Sequence, residues 1–101
     1  MQFTGGLRYG PNAYLGCNVT WPFAKLTAES GFLSVTDTCF KRAYSFEKNQ
    51  IKRLSKYWGL FISPGIRIEH TVDNYPSFIV FWTFSQNNVK SGLIEMGYAF
   101  G

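Results

Sequence analysis

The segment Phe78-Ile79-Val80-Phe81-Trp82-Thr83-Phe84 constrains the fold more than any other part of this 101-residue chain. Successive side chains on a strand point to opposite faces. A run that is apolar at consecutive positions must therefore be covered on both sides. The run has the length of a strand and falls far short of the ~20 residues that a membrane-spanning helix needs. It predicts a central strand, with Trp82 in the core.

Short apolar runs separated by turn signals precede it, the pattern of successive strands. Leu15 to Trp21 reads as extended, with Pro22 limiting its pairing. Phe23 to Ala28 and Phe32 to Thr36 read as a hairpin around Glu29-Ser30-Gly31. Asp37-Thr38 is the next turn. Cys39 to Phe46 follows as a strand, with Tyr44 and Phe46 on one face and Ala43 on the other. Ile51, Leu54, Tyr57 and Trp58 fit a helical or an extended spacing. Gly59 to Ile62 continues in β-type residues and favours a strand. Ser63-Pro64-Gly65 predicts a turn. Ile66, Ile68 and His70 then alternate with Arg67 and Glu69, as on a half-buried strand. Residues 1 to 14, with Gly5, Gly6, Gly10, Pro11 and Asn12, read as an irregular N-terminal arm.

The end of the chain changes period. Val89, Leu93 and Met96 recur at helical spacing after Ser85, an N-cap residue type, and before Gly97, a helix-stop residue. A helix over 86–96 is predicted, with Gly92 marking close packing. The expected order is about seven strands and then one amphipathic helix, in one domain spanning 1–101.

Ten Lys and Arg against six Asp and Glu give a net charge of +4. Lys41, Arg42, Lys48, Lys52, Arg53 and Lys56 are clustered, with Glu47 as the one acid among them. These six form a candidate anion- or lipid-binding group. Charges of this kind also coat strand edges and deter aggregation. Tyr57 and Trp58 adjoin the cluster, either as interfacial aromatics or as sheet packing. Nucleic acid is not an expected partner, since no aromatic sheet motif of the RNA-recognition type occurs.

His70 is the one histidine, and its neighbour Glu69 points to the opposite face of a strand. It reads as a strand histidine with a hydrogen-bond partner. Cys17, Cys39 and His70 lack the close spacing of metal ligands. The two cysteines, with no secretion-type start, lead to the expectation of free thiols in a cytoplasmic protein. The phosphate-binding, dinucleotide-binding and serine-elbow motifs do not occur. No cofactor, metal or enzymatic activity is expected.

The hairpin from Trp21-Pro22-Phe23-Ala24-Lys25-Leu26 through Ser30-Gly31-Phe32-Leu33-Ser34-Val35 resembles the pleckstrin-homology-like (PH-like) superfold. So does Tyr44-Ser45-Phe46-Glu47-Lys48-Asn49-Gln50-Ile51. The third matching part is Gly65-Ile66-Arg67-Ile68-Glu69-His70 with Phe78 to Phe84 and the closing helix. The chain is similar to small bacterial proteins of the PH and GRAM type over about residues 21 to 98. The resemblance implies a mainly β fold: a seven-stranded, partly open antiparallel barrel capped by one C-terminal α-helix. It implies a binding module, whose ligand the superfold leaves open. Lipid-binding members carry Lys and Arg around the first hairpin. Here Lys25 stands alone there beside Glu29, so a phosphate site would fall to Lys41–Lys56. The expected function is a non-catalytic protein-interaction module, self-associating through its exposed edge strands or bound to another protein. A module peripheral to an anionic membrane is the alternative, and an enzyme with a dispersed site around His70 the third reading.

Overall fold

A computed structural model describes residues 1–12, 15–59 and 63–101. The expected continuation of a strand through Leu60, Phe61 and Ile62 lies outside the described residues, as do Ala13 and Tyr14. The strands are β1 (Gln2–Gly10), β2 (Cys17–Ala28), β3 (Phe32–Asp37), β4 (Arg42–Glu47), β5 (Ile51–Trp58), β6 (Pro64–His70) and β7 (Phe78–Trp82). A 3-10 turn (Lys48–Gln50) joins β4 to β5, and helix α1 (Gln86–Glu95) follows β7. The strands form one antiparallel sheet in the order β4-β3-β2-β1-β7-β6-β5. It is an open half-barrel with a C-terminal helix, compatible with a PH-like fold.

The expected irregular arm is instead β1, which lies between β2 and β7 and joins the two halves of the sheet. Its glycines serve packing rather than turns. A Cβ on Gly5 would lie 2.7 Å from the Phe81 ring. Leu7 and Tyr9 alternate into the core. The two segments separated by Pro22 are likewise one strand, β2. Gly5 pairs with Ala24 while Leu7 pairs with Val19, so residues 20–23 bulge from the ladder. A bulge is where a residue without an amide hydrogen is tolerated.

Two further boundaries move. The strand expected from Cys39 starts at Arg42. The Asp37 carboxylate accepts from the Cys39 and Phe40 amides at 2.8 and 3.0 Å, holding both residues in the turn. Pro64 and Gly65, expected in a turn, open β6 opposite Trp58 and Tyr57.

β7 is buried on both faces as its composition requires. Ile79 and Phe81 face the core, and Phe78 and Val80 are buried on the outer side. Val89 and Leu93 of α1 are fully buried and complete the core beside Leu54, Ile66 and Ile68. Each such side chain contributes roughly 1.5–3 kcal/mol of transfer free energy. Gly92 packs against Met1, where a Cβ would overlap the Met1 sulfur. Ser85 precedes the helix without capping it through its side chain. Its own amide donates to the Thr83 hydroxyl instead, at 3.0 Å.

Candidate functional site

The six basic residues singled out above fall on β4 with the turn before it, on the 3-10 turn, and on β5. Lys41 and Arg42 are exposed where β4 begins, and Lys52, Arg53 and Lys56 are exposed on β5. β4 and β5 are the two outermost strands of the sheet. Lys48 is committed to the end of α1. Its ammonium donates to the Met96 carbonyl at 2.9 Å and lies 4.7 Å from the centre of the Tyr98 ring.

Both sheet edges are partly occupied by the chain itself. Phe100 bridges to Leu54 on the outer edge of β5, and the Gly101 amide donates to the Leu54 carbonyl at 2.9 Å. On β4, the Ser45 amide meets the Tyr75 hydroxyl at 3.4 Å and the Glu47 amide donates to Gln50 Oε1 at 2.8 Å.

His70 is held by structure. Its Nδ1 accepts from the Val72 amide at 3.0 Å, which places the hydrogen on Nε2, donated to the Pro76 carbonyl at 2.7 Å. The ring packs on Phe46 and Tyr75. Cys17 and Cys39 are exposed free thiols. Among the described residues, no three His, Cys, Asp or Glu side chains gather as metal ligands do. Nor is any helix there long and apolar enough to cross a membrane.

Asp37 is fully buried, and its second oxygen accepts from the Tyr9 hydroxyl at 2.7 Å. Burial pushes the Tyr9 phenol well above its ordinary value, and the Asp37 contact adds to the effect. Burial also raises Tyr44 and Tyr98. This is a structural network, closed by Tyr44 and Tyr75 stacked edge to face.

The candidate site lies on the outer face of the sheet, built around Trp82. Gly6 of β1 and Gly65 of β6 flank Trp82 in register, and Tyr57 lies beyond Gly65. A Cβ on Gly65 would sit 2.9 Å from Trp82 Cε3, and one on Gly6 would sit 3.3 Å from Trp82 Cδ1. The missing side chains let the indole lie across its neighbours. Its Nε1–H donates to Asn18 Oδ1 at 3.0 Å, and the Tyr57 ring lies 5.9 Å away. Gln86 of α1 ties this floor to the helix, donating to the Gly65 carbonyl at 2.8 Å.

Over this floor opens a cleft of about 910 Å³, lined by Arg8, Asn18, Val19, Thr20, Trp21, Tyr57, Trp58, Gly59, Ser63, Pro64, Trp82, Thr83 and Phe84. Trp21 is 60% exposed, Trp58 56% and Phe84 87%. The chain has three tryptophans, and all three line this one cleft. Trp82 is therefore half-buried at a surface site, not in the core as its strand position suggested. The described lining offers aromatic faces, hydroxyls, an amide and one guanidinium, with no carboxylate, imidazole or thiol. Aromatic faces stack on flat groups, and the hydroxyls, amide and guanidinium can hydrogen-bond.

One row further along the strands, Arg8 and Arg67 flank Val80 in register. Arg67 spreads over the Phe78 ring at 5.2 Å and reaches Glu69 at 3.6 Å. The cleft was not legible in the sequence because strands distant along the chain supply it. The one local signal is Trp82-Thr83-Phe84, an apolar run that outlasts its strand. Comparison with protein-family models, curated proteins and solved structures returned no match to this chain.

Proposed function

We propose that this chain is a non-catalytic protein-interaction module of PH-like type, and that its partner docks in the aromatic cleft. The convergence of all three tryptophans, two of them more than half exposed, carries this reading. Tryptophan and tyrosine are enriched among the residues that dominate binding energy at interfaces. A cluster of exposed large aromatics on one small domain marks an interaction surface. Strand addition at the sheet edges is the weaker version, because Phe100, Tyr75 and Gln50 already take part of those edges.

A second reading, attachment to an anionic membrane, draws on exposed Lys56 and Trp58 on the same strand. One set of proteins separates the two. Wild type and a Trp58→Ser/Phe84→Ser double variant are panned against a displayed library of random linear peptides. Both are also sedimented with phosphatidylcholine vesicles containing phosphatidylserine. Peptides enriched on wild type and lost on the variant support the cleft as a protein site. Vesicle binding at low salt without peptide enrichment moves the function to the membrane. Sedimentation velocity on the same pair reads self-association, which the double variant abolishes if the cleft mediates it.

A further inference from the structure

We infer that the occupant of the cleft is an extended peptide segment that sets carboxylates beside its apolar anchors, an inference that rests on the cleft being a protein-binding site. The charge around the cleft is one-sided. Arg8 lines it, and Arg67 sits one row away, across Val80. Alternate residues on a strand are separated by ~7 Å, so the guanidinium row and the Trp82 row lie within one short peptide's reach.

The chain's own acids are engaged elsewhere or lie outside the described lining. Asp37 is buried against Tyr9, and Glu29 faces the N-terminal ammonium at 3.6 Å. Glu47 caps the 3-10 turn. Glu69 approaches Arg67, and the 3.6 Å separation exceeds hydrogen-bond length. The Arg67 Nε–H is buried with no acceptor. That atom is out of a ligand's reach, but the terminal nitrogens of this partly exposed side chain can hold an incoming carboxylate through two parallel hydrogen bonds. Aromatic side chains or proline of the same segment fill the space between Trp21, Trp58 and Phe84.

The peptides recovered by panning test the inference through their composition. Those lost on the Trp58→Ser/Phe84→Ser variant are expected to be rich in Asp and Glu next to aromatic or proline residues. A synthetic copy of the most enriched one, followed by tryptophan emission, is expected to bind about tenfold more weakly to Arg8→Gln. Its affinity falls as salt rises from low to physiological strength. Arg67→Gln is the second charge variant, for use if Arg8→Gln does not fold. Cleft-dependent peptides that are neutral or basic, or affinities indifferent to charge and salt, overturn the inference and leave the protein-binding reading standing. Absence of any cleft-dependent peptide overturns both.

Discussion

At the scale of single residues, Gly65 leaves the space that the indole at the floor of the cleft occupies. A Cβ there would sit 2.7 Å from Val80 Cγ1, 2.9 Å from Trp82 Cε3 and 3.0 Å from the Phe81 carbonyl oxygen. The last contact is backbone and cannot rotate away, so Gly65→Ala must displace the indole or the strand. Overpacking of this kind costs about 1–3 kcal/mol. The expected result is a lower urea midpoint with an unchanged slope, together with an altered tryptophan emission. Phe84→Ala is the contrasting change. Its side chain is 87% exposed, so stability should stay within about 0.5 kcal/mol of wild type. A stable Gly65→Ala with wild-type emission would mean that the floor of the cleft has room to spare.

At the scale of elements, α1 ends in a defined stop. The Gly97 amide donates to the Ile94 carbonyl at 2.9 Å, and the Tyr98 amide to the Leu93 carbonyl at 3.0 Å. This is a Schellman termination, and it needs the positive φ of +90° at Gly97. Gly97→Ala is expected to lower stability by about 1–2 kcal/mol, read as a shift in thermal midpoint. A Cβ there would also come 2.8 Å from Lys48 Nζ and disturb its bond to Met96. The helix and its stop were legible because spacing and capping are local. The count of seven strands was legible too, but with a different membership. Gly5 and Gly6 resemble turn residues until Phe81 and Trp82 are seen packed beside β1, and Pro22 reads as a break until the bulge accommodates it. Trp82 shows the same limit: a strand's composition requires cover on both faces but does not say whether that cover is complete. The pairing of Gly6 and Gly65 with Trp82 joins residues far apart in sequence, so no local pattern could assemble the cleft.

At the scale of the whole molecule, the buried phenols couple the fold to alkaline pH. Burial is the first cause of the raised values of Tyr9, Tyr44 and Tyr98, reinforced at Tyr9 by the Asp37 carboxylate and at Tyr98 by Glu29. In the unfolded chain these hydroxyls lose their protons near pH 10. Between that value and the raised native ones, the unfolded state binds fewer protons than the native state. Stability therefore falls as pH rises through this window, while below about 10 the contribution of the three groups is present in full. Urea midpoints measured across the alkaline range should decline once pH passes about 10. In an absorbance titration these three phenols should ionise later than exposed tyrosine, together with unfolding. Tyr98→Phe, which removes one of the titrating groups, should make the alkaline decline shallower. A titration in which all the tyrosines ionise at the ordinary value while the protein stays folded would mean that Tyr9, Tyr44 and Tyr98 are reached by solvent. The tight closure of the half-barrel on its aromatic side, where Tyr9, Tyr44 and Tyr75 stack edge to face, would then be wrong.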